Sequence, residues 1–106
     1  MQEVKADVPI LSTLSGKTIS VNPELTVANG VRRIENYAFQ YTNLTTVSLP
    51  ATITYLGYES FGGCKSLSEI TFAGTTTQWN KIDKPLWKEG TPRVIVRCSN
   101  GNVLAE

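Results

Sequence analysis

The feature that most constrains this fold is a pattern of apolar residues that recurs, because “NYAFQYTNLTTVSLP” is followed by “YESFGGCKSLSEITF”. Phe39 aligns with Phe61, and the apolar positions after each phenylalanine align once a single inserted residue in the second copy is allowed for. The same spacing reaches back to an earlier copy, so that twelve further apolar positions align: Leu25, Val27, Val31, Ile34, Leu44, Val47, Leu49, Ile53, Leu56, Leu67, Ile70 and Phe72. A period of roughly 20–50 residues indicates stacked repeats, since one unit cannot bury its own apolar side.

The spacing within one repeat predicts its secondary structure. “LTV”, “VSL” and “ITF” alternate apolar and polar residues, as half-buried strands do. Pro50 then turns the chain into a second short extended segment, which buries Ile53 and Leu56. “ENYAFQY” and “YESFGG” are too short for a full helix and predict a single helical or 3₁₀ turn, with Phe39 and Phe61 facing inward. We therefore expect a β-rich solenoid, a short repeat stack with single helical turns between its strands.

This pattern resembles BspA-like leucine-rich repeats, whose units of about 23 residues read L-x-x-I-x-I-P-x-x-V-x-x-I-G-x-x-A-F-x-x-C. The matching residues of one copy are Leu44, Val47, Leu49, Pro50, Ile53, Leu56, Gly57, Phe61 and Cys64, and those of the previous copy are Leu25, Val27, Val31, Ile34, Ala38 and Phe39. The tail from Phe72 to Gly101 resembles the segment that closes such arrays. The resemblance implies a leucine-rich repeat solenoid over residues 25–101, whereas residues 1–20 match no pattern of the family.

A solenoid exposes an apolar face at each end, so we expect a cap at both ends. The predicted division is an N-terminal cap or linker at residues 1–21, leucine-rich repeats at 22–74 and a C-terminal cap at 75–106. At the N-terminus, “PILSTL” and “KTISV” predict a hairpin that covers the first repeat.

The C-terminal cap is predicted as a helix followed by a strand. One threonine of Thr75–Thr77 N-caps a short helix, in which Trp79 and Ile82 share a face and form a lid. Trp87 covers the last repeat, and “PRVIVRC” forms the strand. “SNGN” then predicts a hairpin turn with Asn100–Gly101 at its centre.

Composition argues against several classes of function. Ten Lys and Arg against nine Asp and Glu leave a formal charge of +1, which gives no electrostatic case for binding nucleic acid. No apolar run approaches the roughly 18 residues of a membrane helix. Without histidine, and with only Cys64 and Cys98 as thiols, the chain offers no metal-ligand or Ser–His motif. We predict no catalytic residue, no cofactor and no metal.

The two cysteines have a structural interpretation. A disulfide between Cys64 and Cys98 is one option, but each lies among apolar neighbours, where a reduced thiol packs as a small hydrophobe. Cys64 follows two glycines and precedes Lys65, which would also suit a reactive thiol. Because the repeat places Cys64 at a recurring packing position, we favour the structural role.

The residues that the repeat leaves free to vary are the candidates for binding a partner. Outward residues of stacked strands form columns, one of them Thr26, Ser48 and Thr71 and its neighbour Glu24, Thr46 and Glu69. Four tyrosines in or beside the turns, Tyr37, Tyr41, Tyr55 and Tyr58, are a second set, because tyrosine is enriched at protein interfaces. The predicted partner-binding residues are Thr26, Thr46, Ser48, Glu69, Thr71, Tyr41 and Tyr55. The alternatives are a merely β-favouring surface for the columns and packing between repeats for the tyrosines.

Two classes of function fit these observations. The resemblance implies a non-catalytic interaction module of a bacterial surface or secreted protein, which adheres through its concave strand face as part of a longer chain. If Met1 is the native start, the alternative is a small cytoplasmic protein, phage- or mobile-element-encoded, that scaffolds or inhibits one protein partner. Both predict a protein partner, without nucleic acid or membrane insertion. About three repeats are usually needed to form a concave surface, and this chain shows only about two. A further expectation is therefore a homodimer, which would extend the stack through an exposed repeat edge.

Overall fold

The structure, a computed structural model, describes residues 2–4, 10–11 and 24–106. Within these residues, nine strands form two sheets. The one helix described, α1, spans Thr76–Lys81. The six-stranded sheet has the order β1 (Gln2–Val4), β3 (Glu24–Val27), β5 (Thr46–Leu49), β7 (Glu69–Phe72), β8 (Val94–Cys98) and β9 (Gly101–Ala105). The three-stranded sheet has the order β2 (Ile10–Leu11), β4 (Arg33–Ile34) and β6 (Tyr55–Leu56).

The strands follow one another as the coils of a solenoid. In the six-stranded sheet β1, β3, β5, β7 and β8 are parallel, and β9 is antiparallel to β8. Thr26 pairs with Ser48, and Ser48 pairs with Thr71, so the repeat in sequence is also the register in space. Between these strands the chain passes through the second sheet, whose strands are also parallel. The predicted solenoid, a short repeat stack, is confirmed, and it has roughly three turns.

Strand alternation places the core between the two sheets. In β5 the side chains of Val47 and Leu49 are buried, whereas Ser48 between them is partly exposed. The aromatic residues of successive coils also stack. The rings of Phe39 and Phe61 lie 5.3 Å apart at an interplanar angle of 15°, and Trp87 meets Phe61 edge-on at 6.2 Å. Trp87 therefore continues the column of inward phenylalanines by one further coil.

Three turn segments, residues 36–41, 58–63 and 85–90, lead from the second sheet back to the first. Each is a single compact stretch of i→i−3 turns, as in the bond from the N–H of Ala38 to the carbonyl of Glu35. The backbone is not helical, however, because left-handed residues interrupt it, such as Tyr37 (φ 63°) and Tyr41 (φ 62°) in the first segment. Alternate N–H groups therefore bond to the next segment. The N–H groups of Tyr37, Phe39 and Tyr41 donate to the carbonyls of Tyr58, Ser60 and Gly62 at 2.8–2.9 Å.

Helix α1 follows the third strand of the repeat pattern. Its N-cap is Thr75, whose hydroxyl accepts from the N–H of Gln78 at 3.1 Å, while the Gln78 side chain accepts from the N–H of Thr75 at 2.8 Å. Trp79 of this helix is buried, 5.5 Å from the ring of Phe72 and 5.6 Å from that of Trp87. The Trp79 ring thus packs within the core of the stack.

The coil continues beyond residue 75. Asp83 forms a parallel bridge with Tyr55, and the N–H of Phe61 donates to the carbonyl of Trp87 at 2.9 Å. The loop that joins β8 to β9 is Ser99–Asn100, one residue earlier than the predicted pair. The reason is that Gly101, at φ 151°, already pairs with Cys98 as the first residue of β9.

Near the N-terminus, both ladders extend further than the repeat pattern indicates. Gln2 of β1 pairs with Leu25, and Ile10 of β2 pairs with Arg33, both in parallel. Apart from Ile10–Leu11, the predicted hairpin of “PILSTL” and “KTISV” lies outside the described residues. Strands on the two sides of each predicted boundary are neighbours in the six-stranded sheet: β1 and β3 at residues 21–22, and β7 and β8 at residues 74–75. The three-part division stays a prediction.

Candidate functional site

Five of the predicted site residues lie together on one surface of the six-stranded sheet. The register places Thr26, Ser48 and Thr71 in one row across β3, β5 and β7, and Thr46 beside Glu69 in the next row. These side chains are exposed or partly exposed, whereas the alternate positions of the same strands are buried. The alternation that builds the core therefore also sorts these residues onto the opposite face. We call this surface the outward sheet face.

The outward sheet face extends over β8 and β9, beyond the predicted residues. Thr71 pairs with Arg97, and Glu69 pairs with Ile95. On β9, Asn102 lies opposite Arg97 and Leu104 lies opposite Ile95. The alternation in “VIVRC” predicts which side Ile95 and Arg97 face. Their row could not be predicted, because the chain between Glu69 and its partner Ile95 contains helix α1 and is longer than the repeat period.

Charge and apolar surface are arranged together on this face. The Arg97 Nε donates to the Glu69 Oε2 at 2.8 Å, so these two charges compensate each other. Ile95 and Leu104 are 40% and 49% exposed and lie side by side. The face thus combines a hydroxyl-rich centre, the Glu69–Arg97 ion pair and an apolar pair at its β9 end.

Tyr41 and Tyr55 lie on other surfaces of the molecule. Tyr41 belongs to the first turn segment and is 65% exposed, with its ring covering Gly63 in the next coil. The ring of Tyr55, in β6, lies under the Arg33 guanidinium at 4.3 Å, and its hydroxyl donates to the Asn36 Oδ1 at 3.0 Å. The structure therefore does not bring these two tyrosines together with the five sheet residues.

Tyr37 and Tyr58, which belong to the predicted set of tyrosines in or beside the turns, form a second aromatic surface along the turn segments. The rings of Tyr37 and Tyr58 meet edge-to-face at 5.6 Å, and the side chain of Leu86 in the third segment is 59% exposed. A hydrogen bond and the negative charge of Glu59 raise the pKa of the Tyr58 hydroxyl, with smaller contributions from burial and neighbouring groups. These contacts make the surface a mixed aromatic and acidic one.

Cys64 occupies a buried packing position shared by successive coils. Its Sγ donates to the carbonyl of Phe39 at 3.2 Å and lies 3.4 Å from the hydroxyl of Thr42. In the next coil, the hydroxyl of Thr91 donates in the same way to the carbonyl of Phe61. Burial raises the pKa of the Cys64 thiol, and this outweighs the hydrogen bonds that lower it. Both cysteines are free thiols, so the structure contains no Cys64–Cys98 disulfide.

A depression of about 370 Å³ is open to solvent near the end of the chain, with Trp87, Lys88, Thr91 and Glu106 among its lining residues. Burial lowers the pKa of Lys88, an effect that the charges of Glu106 and Glu89 oppose. Its ammonium donates to the carbonyl of Thr91 at 3.2 Å, so the buried charge has a partner within the chain. Across the described residues, no three or more Cys, Asp or Glu side chains are grouped as metal ligands.

The stacked parallel coils and the outward sheet face define the protein as a solenoid of the leucine-rich repeat class. The family described as “BspA type Leucine rich repeat region (6 copies)” matches residues 17–84, which is more than half of the chain. The match includes residues 17–20, where the repeat pattern alone indicates no resemblance. The chain therefore belongs to the BspA-type leucine-rich repeat family, as its pattern indicates.

No curated protein and no solved structure matches the chain. Repeats of the family generally mediate protein–protein binding, are typically non-catalytic and typically occur in surface or secreted proteins. Within the part of the chain that the structure describes, no helix is long and apolar enough to cross a membrane.

Proposed function

We propose that the protein is a non-catalytic binding module of a bacterial surface or secreted adhesion-type protein, and that its outward sheet face contacts a protein partner. The observation that carries this proposal is the continuous register of outward residues over β3, β5, β7 and β8. This part of the surface is rigid because each of these four strands is held on both sides by a neighbouring strand. The typical occurrence of the family in surface or secreted proteins supports the adhesive role.

The chemistry of the face also supports a protein partner. Protein interfaces combine apolar contact area, which excludes water, with polar groups that hydrogen-bond to the partner. Ile95 and Leu104 offer the apolar part, while Ser48, Thr71 and Thr46 offer short hydroxyl side chains that lose little rotamer entropy on binding. Over its described strands the face is an open sheet surface and does not enclose a small substrate, which favours a partner with a broad surface.

The test uses the 106-residue chain and a panel of purified host extracellular-matrix proteins coated on a biosensor surface. In one variant, Thr46, Ser48 and Thr71 are each replaced by Lys. Long charged side chains in these rows obstruct a docked partner, so we expect at least about a tenfold loss of affinity, equal to about 1.4 kcal/mol.

The matched control carries the same three added charges elsewhere, as Ser66→Lys, Thr77→Lys and Asn80→Lys, all at exposed positions off the six-stranded sheet. We expect this control to bind within about twofold of the wild type. Circular dichroism and thermal melting verify that both variants fold. Retained binding by the sheet variant would overturn the assignment of the face, and no binding of the wild type to any matrix protein would overturn the adhesive role.

A further inference from the structure

Strand β9 is an open sheet edge without the usual protection. Proteins blunt such edges with Lys, Pro, charges or bulges, because the unpaired N–H and C=O groups would otherwise pair with another strand. The sequence of β9, Gly-Asn-Val-Leu-Ala, contains no Pro and no charged residue, and its five residues pair with β8 without a bulge. In the described sheet order, β9 has a neighbour on one side only.

The hairpin determines which backbone groups point to this open edge. The two-residue loop is closed by the pair Cys98 and Gly101, and hydrogen-bonded pairs then alternate along an antiparallel ladder. Val103 and Ala105 therefore bond to β8, whereas the N–H and C=O groups of Asn102 and Leu104 point away from it. The side chains of Asn102 and Leu104 lie on the outward sheet face.

We propose that β9 pairs antiparallel with β9 of a second copy of this chain, about a two-fold axis through Leu104. A two-fold axis at an antiparallel pair makes the interface isologous, so each copy supplies the same strand. In this register, Leu104 faces Leu104 of the second copy. The exposed pair Ile95 and Leu104 then joins its counterpart in an apolar row of four side chains, in which the two Leu104 side chains shield each other from water.

The polar row beside it is also complementary. Asn102 comes to lie opposite Glu106 of the second copy, and the row reads Arg97, Asn102, Glu106, Arg93, without like charges in direct opposition. A two-fold axis at Val103 instead would place Leu104 opposite Asn102 and would separate the two apolar pairs. The register at Leu104 therefore satisfies the edge with better matched side chains. It also joins the two outward sheet faces into one continuous sheet, although the pairing does not depend on the proposed function.

Analytical ultracentrifugation tests the association. A single strand edge buries less than the roughly 1,200 Å² of a standard interface, so we expect a weak dimer with a dissociation constant above about 1 µM. The mass should rise from 11.6 kDa towards twice that value as the concentration increases from about 10 µM to about 1 mM. Leu104→Asp brings two carboxylates together at the axis and should remain monomeric. Leu86→Asp changes another exposed leucine, off the sheet, and should behave as the wild type.

Disulfide trapping tests the register, in a Cys98→Ser background that leaves buried Cys64 as the other thiol. In the proposed register, Leu104→Cys places the two new cysteines directly opposite each other as a hydrogen-bonded pair. Their Cα atoms would lie about 5.5 Å apart, a distance that suits a disulfide. Asn102→Cys places them about four residues out of step, or roughly 13 Å apart, and should not cross-link. A wild type that stays monomeric, or a Leu104→Asp variant that dimerises normally, would overturn the pairing. Equal trapping of the two cysteine variants would overturn the register at Leu104.

Discussion

Thr91 joins the last turn segment to the buried interior of the previous coil, and we expect its hydroxyl to stabilise the fold. The hydroxyl accepts from the N–H of Cys64 at 2.9 Å and donates to the carbonyl of Phe61. Both bonds are buried and both cross between coils. The perturbation is therefore Thr91→Val, which keeps the shape of the side chain and removes only its hydrogen bonding.

The expected magnitude follows from the two groups left behind. A buried polar group that loses its partner costs about 1–3 kcal/mol, and here one N–H and one C=O are affected. The methyl group that replaces the hydroxyl offsets this by about 1 kcal/mol of apolar burial. We expect Thr91→Val to lower the free energy of unfolding by about 2–4 kcal/mol, a large fraction of the roughly 5–15 kcal/mol of a typical domain. The melting temperature should fall by about 10–25 °C.

Urea denaturation at 25 °C, followed by circular dichroism, measures this change. Thr91→Ser keeps the hydroxyl and should lose only about 1 kcal/mol with its methyl group. Thr77→Val makes the same chemical change at an exposed helix position and should stay within about 0.5 kcal/mol of the wild type. If Thr91→Val costs less than about 1 kcal/mol, or no more than Thr91→Ser, the two hydrogen bonds do not hold the coils together as argued.

Two further substitutions test other contacts by the same denaturation assay. Gly57→Ala should lower the free energy of unfolding by more than about 2 kcal/mol, because the added Cβ would lie 2.5 Å from the backbone nitrogen of Asn36. The Cβ added by Gly30→Ala meets no atom within 4 Å, so this control should cost only the roughly 1–2 kcal/mol of its left-handed conformation. Equal losses at the two glycines would refute the close approach at Gly57. Thr75→Ala removes the capping box of α1 and should cost about 1 kcal/mol, and Thr77→Ala within the helix should cost much less; an unchanged stability of Thr75→Ala would show that the cap contributes nothing.

The turn segments show where prediction from sequence reaches its limit. A compact turn is indicated by the short distance between strands and by the inward position of Phe39 and Phe61, and both rings are indeed buried. The left-handed backbone at Tyr37 and Tyr41 has no local signal, since tyrosine disfavours positive φ. Bonds from these N–H groups to the next coil stabilise this backbone, and such bonds exist only once the coils have stacked.

The candidate site also has a part that the sequence predicts and a part that it does not. Period-2 alternation and the repeat shift predict that Thr46 lies beside Glu69 and Ser48 beside Thr71, as the register shows. The location of Tyr41 and Tyr55, which belong to the second predicted set, had no such basis, because position within a repeat does not say which surface a turn residue covers. Each of the two tyrosines packs on a residue of its own surface, Gly63 and Arg33 respectively.

The sequence by itself determined the repeating unit, that is, its period, its buried positions and the polar residues between them. Each copy has the same alternation of buried and exposed residues, and this alternation can be recognised locally. Only the tertiary structure decided how far the stack extends. The step from Phe61 to Trp87 is longer than the step from Phe39 to Phe61, because helix α1 lies within it, so the alignment of apolar positions does not find Trp87. Packing on the exposed end of the previous coil placed its ring in the aromatic column and left β9 as the open edge, since an apolar surface is covered by whichever segment can reach it.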